Sequence, residues 1–166
     1  MGDDRSRTPT WRQATRLVRG GTRRTPFCET SEGLFMTSGY VYDTAEEAQE
    51  AFAGDRVRLV YSRYANPTLD MLETRLALLE GADFCRATAS GMAAVYASLI
   101  SQLSAGDRVV ASRALFGSCL YIIAEMLPKY GIDIELVDGT DLDQWRKALS
   151  RPTQCVFIET PSNPTL

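Results

Sequence analysis

Three short stretches of this 166-residue chain carry groups able to grip an anion or a polar ligand. The first is Tyr61-Ser62-Arg63-Tyr64-Ala65-Asn66-Pro67-Thr68. Arg63 offers a planar fork of N–H donors that matches phosphate or carboxylate, with aromatic hydroxyls on either side of it. Spacing alone also allows an exposed loop with Arg63 in a surface ion pair. The second stretch is Thr88-Ala89-Ser90-Gly91-Met92-Ala93-Ala94, at the start of an apolar helical run. Unpaired N–H groups and the positive end of a helix dipole favour an anion there, and Gly91 lets it approach closely. A serine that only caps the helix would use the same residues. The third is Glu159-Thr160-Pro161-Ser162-Asn163-Pro164, which follows an apolar run and so lies where open α/β sheets hold ligands. Its two prolines stiffen a loop from which Asn163 can present an amide, and a purely structural turn accounts for the pattern equally well.

The elements that must position these groups are marked by their ends. Asn66 is a good N-cap, Pro67 suits the first helical position, and Gly81 falls where a left-handed C′ residue belongs. Between them Leu69, Leu72, Leu76 and Leu79 form one apolar stripe, which predicts a helix. Upstream, Thr44-Ala45-Glu46-Glu47 is a capping box for a short helix that Gly54 ends. Residues 27–42 are expected to be extended and irregular, and residues 1–26 a disordered or arm-like lead. Phe84 to Ala87 is a strand candidate, followed by a helix from Gly91 to about Leu103. Thereafter strands at 108–111, 132–137 and 155–158 alternate with helices at 118–130 and 141–149. Pro128 should kink or end the first of these helices near Leu127, and Asp141 caps the second. This alternation predicts right-handed crossovers and a mostly parallel sheet covered on both faces.

Composition narrows the chemistry. There is no histidine, and the four cysteines are widely spaced, so a Ser-His-Asp or Cys-His nucleophile is excluded and a zinc site from local pairs is not expected. No dinucleotide or triphosphate glycine motif is present. Residues 1–24 hold seven arginines against two aspartates although the net charge is −3. This basic lead lacks interleaved aromatics, so it predicts no nucleic-acid partner and is read as an arm that orders against a partner subunit. No apolar run reaches membrane-spanning length, and sparse cysteines suit a reducing cytoplasm.

Taken together, the octet, Ser90-Gly91-Met92, Phe116-Gly117-Ser118 and Glu159-Thr160-Pro161-Ser162-Asn163-Pro164 resemble the Cys/Met-metabolism family of pyridoxal-phosphate enzymes, most closely its O-succinylhomoserine sulfhydrylase branch. The resemblance runs from about Thr25 to Leu166. It implies an aminotransferase-like (fold type I) α/β large domain, with residues 1–60 as a partner-contacting arm and 61–166 as the first part of the cofactor-binding domain. It implies pyridoxal 5'-phosphate as cofactor, held by Ser90 and the amides of Gly91 and Met92, and by Tyr61 and Arg63 reaching from a neighbouring subunit. Phe116 would stack on the pyridine ring, at a position where the family often has Tyr. Asn163 would lie near the ring oxygen, and Glu159 would line the substrate pocket or brace its loop. The implied reaction replaces succinate by sulfide on an O-acyl-L-homoserine to give homocysteine, towards methionine. Cystathionine γ-synthase, O-acetylhomoserine sulfhydrylase and γ-lyase activities share the pattern, and a non-catalytic fragment is the rival of another class. A cytoplasmic homo-oligomer with shared active sites, a tetramer in many relatives, is also implied.

Such chemistry needs a lysine to carry the cofactor and an acid to keep the pyridine nitrogen protonated. Only Lys129 and Lys147 are present, and neither has the family's Ser-x-Thr-Lys context. The expectation is therefore a truncated large domain, the N-terminal portion of a longer enzyme, with no catalytic residue in this chain and no turnover of its own.

Overall fold

A computed structural model describes residues 10–164, which form two compact units divided between Ala87 and Thr88. The first unit holds three helices: α1 (Gln13–Arg19), α2 (Ala45–Ala53) and α3 (Pro67–Glu80). Their ends follow the local chemistry. Thr44 Oγ1 accepts from the Glu47 amide at 3.1 Å, and Gly54 closes α2 at φ 84°. Asn66 Oδ1 accepts from the Thr68 amide, and Gly81 closes α3 at φ 67°. Both glycines take the left-handed conformation that costs other residues steric strain.

Two features of this unit go beyond what the sequence pattern tells. Of the two forms expected for the lead, residues 10–26 take the arm-like one, since α1 packs on α3. Arg16 donates to the carbonyl of Leu78 at 3.3 Å, and Arg75 donates to the carbonyl of Gly20 at 2.9 Å. Residues 1–9 lie outside the described part. The leucine stripe is also not the buried line of α3. Leu69, Leu72 and Leu76 are exposed, while Met71 and Ala77 are buried. Periodicity identifies an apolar face but not what covers it, and here the arm occupies the neighbouring face, with the Arg23 amide 3.4 Å from Met71 Sδ.

The second unit begins with α4 (Gly91–Ile100), three residues shorter than expected. A three-stranded parallel sheet follows, β1 (Arg108–Ser112), β2 (Asp133–Val137) and β3 (Cys155–Phe157), in the order β2-β1-β3. In register, Val109 lies opposite Ile134 and Cys155, and Ala111 opposite Leu136 and Phe157. Alternate β1 side chains serve opposite faces. Val109 and Ala111 join Leu99 of α4 and Leu103 just after it with Cys119, Ile122, Ile123 and Leu127, whereas Val110 joins Val137, Ala148 and Trp145. Helices thus cover both faces, as the alternation predicts. Full burial of Ile123 and Leu127 contributes about 1.5–3 kcal/mol each.

The β1–β2 crossover is helical in three parts: α5 (Gly117–Tyr121), a π turn (Ile122–Met126) and a 3-10 turn (Leu127–Tyr130). Pro128 has no N–H to continue an α ladder. The wider turn, closed by the Leu127 amide on the Ile122 carbonyl, sets Leu127 rather than Met126 fully inward. Helix α6 (Leu142–Ala148) is capped by Asp141, whose side chain accepts from the amides of Asp143 and Gln144. These hydrogen bonds hold the Asp141 carboxyl below its usual range. Phe84 to Ala87, expected as a strand, forms no ladder, and no strand among the described residues pairs with it. Its Ala87 amide instead donates to Glu73 Oε1 at 2.8 Å.

Candidate functional site

In the first unit the octet is fastened to residues 35–40. Gly39 and Tyr61 form an antiparallel bridge, and the Ser62 amide donates to the Ser38 carbonyl at 2.9 Å. Buried Asn66 donates from Nδ2 to the Phe35 carbonyl and to Ser62 Oγ, both at 2.9 Å, while its Oδ1 caps α3. One side chain therefore fixes the helix start, the loop before it and the strand-like segment beside it. The cap was legible in the sequence, but the two donations were not. Asn66→Ala is expected to cost about 2 kcal/mol, from a lost cap and two lost hydrogen bonds. Asn66→Asp keeps the cap and should fall between. Hydrogen exchange at the first turn of α3 measures both, and equal protection in the two variants would remove the donations from the account.

Held this way, the loop presents Arg63 to solvent without a carboxylate partner among the described residues, so the surface ion pair is not what occupies it. Its guanidinium lies against two aromatic rings instead, 5.1 Å from the Tyr61 centroid and 4.9 Å from that of Tyr64. A stacked guanidinium keeps its in-plane N–H donors open to an anion.

In the second unit Ser90 caps α4, its Oγ accepting from the Ala93 amide at 3.1 Å, and its carbonyl accepts from the Ala94 amide. That leaves the amides of Gly91 and Met92 as the unpaired donors of the first turn. Beyond Gly91 there is open space where a Cβ would stand, and the Met92 side chain turns to the core. This is a cradle for an anion, formed by main chain and reinforced by the helix dipole.

The loops after β1 and β3 are brought together by Glu159. Its Oε2 accepts from the Phe116 amide at 2.7 Å and its Oε1 from the Asn163 amide at 2.9 Å. Ser162 Oγ adds a bond to the Ala114 carbonyl at 3.1 Å. Phe116 is partly exposed, as a ring-stacking role requires and as a core residue would not be. The exposed Asn163 keeps its side-chain amide unbonded among the described residues. Burial, and after it the Glu159 charge, push the Cys119 thiol up, so it remains protonated beneath this corner. Lys129 and Lys147 are both exposed, on the 3-10 turn and on α6. The sequence set Tyr64 beside Arg63 and allowed Glu159 to brace its own loop, but neither the ring's contact with the guanidinium nor the link from Glu159 to the Phe116 loop leaves a local pattern.

Comparison with known proteins identifies the family. Residues 14–166 match the family described as Cys/Met metabolism PLP-dependent enzyme. An O-succinylhomoserine sulfhydrylase of Mycobacterium tuberculosis is 57% identical over 152 residues, covering 92% of this chain and 37% of the relative. One from Pseudomonas aeruginosa is 45% identical, covering 90% of this chain and 37% of the relative. A crystal structure from Campylobacter jejuni, assigned as an O-acetylhomoserine (thiol)-lyase and containing a pyridoxyl-lysine phosphate, superposes with a TM-score of 0.82 at 32% identity, over 93% of this chain and 38% of that one. The chain thus spans well under half the length of these relatives. It belongs to the Cys/Met-metabolism family of pyridoxal-phosphate-dependent enzymes.

Proposed function

We propose that this chain supplies the phosphate grip and ring platform of a pyridoxal-phosphate-dependent O-succinylhomoserine sulfhydrylase, which replaces succinate by sulfide to give L-homocysteine. The observation that carries the reading is the unpaired amide pair of Gly91 and Met92 at the mouth of α4, open where a phosphate would sit. The residues present fit the cofactor: main-chain donors for its phosphate, a partly exposed aromatic ring for its face, and a free amide on Asn163 for its ring oxygen. When bound, the cofactor supplies the electron sink that acidifies the C–H bonds of the amino acid. This chain's part is binding and orientation. Gly91 and Met92 fix the anionic end, Phe116 sets the tilt of the ring, and Glu159 holds the Phe116 and Asn163 loops at a constant separation. Neither Lys129, on the 3-10 turn, nor Lys147, on α6, lies in the loops that carry Gly91, Phe116 and Asn163.

In this reading Tyr61 and Arg63 act on the phosphate of a neighbouring subunit. The enzyme is then a cytoplasmic homo-oligomer with each active site shared, residues 1–60 contacting the partner and 61–166 opening the cofactor domain. An Arg63 guanidinium held in order but unneutralised supports this. Arg63→Ala in the complete protein should weaken pyridoxal-phosphate binding about 10- to 100-fold, the loss of charge-assisted hydrogen bonds. Mixing that variant with one lacking the cofactor lysine should restore some activity, because hybrid dimers regain one intact site. Unchanged affinity in Arg63→Ala, or no recovery on mixing, would count against shared sites. Assays pairing sulfide or cysteine with succinyl or acetyl esters decide the substrate.

A further inference from the structure

We infer that Tyr64 is a positioning residue for Arg63, holding the guanidinium flat and uncompensated so that its donors meet the cofactor phosphate. The inference rests on the shared-site reading above and deepens it. An exposed arginine has several rotatable bonds, and ordering it on binding costs entropy. Proteins usually restrain such a side chain with a carboxylate, but a carboxylate would compete with the phosphate for the same donors. Here the restraint comes from aromatic faces instead. Tyr64 lies 4.9 Å from the guanidinium carbon, the nearer of the two rings, and is itself three-quarters exposed. A ring quadrupole attracts the cation through its face while leaving the edge N–H groups unspent.

The backbone shows how Tyr64 is set in place. The amides of Tyr64 and Ala65 both donate to the Tyr61 carbonyl, at 2.9 and 3.1 Å, which folds residues 61–65 into a tight turn. That turn puts Tyr61 and Tyr64 close to one guanidinium while the Ser62 and Asn66 bonds anchor its floor. The Tyr64 hydroxyl has no partner among the described residues, so the ring rather than the hydroxyl does the positioning.

The test is a double-mutant cycle in the complete protein, read as the dissociation constant for pyridoxal phosphate by absorbance titration, with thermal melting of the cofactor-free protein as a folding control. Tyr64→Leu is expected to weaken binding about two- to fivefold, the size of an exposed cation–π contact. Tyr64→Phe should bind like the parent, and Tyr64→Leu should add no loss in an Arg63→Ala background. Parent-like affinity in Tyr64→Leu while Arg63→Ala binds weakly would overturn the positioning role and leave the shared site standing. An equal loss from Tyr64→Leu with and without Arg63, or a loss in Tyr64→Phe as large as in Tyr64→Leu, would overturn it as well, by showing a structural or hydroxyl effect. If Arg63→Ala itself binds normally, the phosphate assignment fails, and the positioning role fails with it.

Discussion

Arg108→Met is expected to lower the stability of the sheet by about 3 kcal/mol, the lower end of what removing one member of a buried charge cluster costs. Arg108 is almost fully buried at the first residue of β1. Its Nη1 donates to the Ala148 carbonyl at 2.9 Å and to Thr153 Oγ1 at 2.6 Å, and its Nη2 pairs with Glu135. Nε lies 3.4 Å from Asp133 Oδ2, an ionic contact without a hydrogen bond. One side chain therefore joins β1 to β2, to the end of α6 and to the segment leading into β3. Met matches much of the volume but leaves the Ala148 carbonyl without its buried donor. The acids are half exposed, so water recovers part of what they lose, which is why the lower end of the range applies. Amide exchange in β1 to β3 should accelerate about a hundredfold in the complete protein, at 1.4 kcal/mol per factor of ten. Exchange unchanged within threefold would show that Arg108 is dispensable.

Glu159→Ala should have the second large effect, confined to the other end of the sheet. Each hydrogen bond to a charged acceptor contributes about 1.5–3 kcal/mol, and the change removes one from the Phe116 amide and one from the Asn163 amide. Both amides should exchange roughly 10- to 100-fold faster, at the same conversion, while those of β1 stay protected. Glu159→Gln keeps one acceptor and turns an N–H₂ towards the other donor, so one of the two loops should loosen more than the other. If Glu159 instead touched substrate, both variants would raise KM with the Phe116 and Asn163 amides undisturbed. That outcome would end the bracing account.

Much of the fold was legible because its signals are local. Asn66-Pro67, Thr44 with Glu47, Asp141, Gly54 and Gly81 each act within a turn of their own position, and every one closes the helix end it marks. The parallel sheet was legible from the alternation of strands and helices, which leaves few other ways to bury both faces. What failed to show is what depends on distant partners. Phe84 to Ala87 has strand composition but no neighbouring strand among the described residues, and Leu69, Leu72 and Leu76 have helical spacing but stay exposed. The basic lead reads as a disordered or arm-like stretch rather than as α1, because composition does not reveal that Arg16 and Arg75 spend their donors on carbonyls. Arg108 had a detectable signal that went unused. Asp133 and Glu135 alternate at period two on the strand paired with it, so both face the same side. At the site, Gly91, Met92 and Phe116 were identified by resemblance, and their open amides and exposed ring are physical features consistent with it. Arg63 could have been a surface ion pair until its tyrosine neighbours were seen.

The order β2-β1-β3 also has a bearing on how the chain is made. The ribosome releases the middle of the sheet first, so β1 emerges with both edges bare. Translation through Val137 supplies a partner for one edge, but the other stays open until Cys155 to Phe157 have left the exit tunnel. During that interval a nascent chain exposes an apolar edge strand to its neighbours on the same messenger, the condition under which strands pair with the wrong copy.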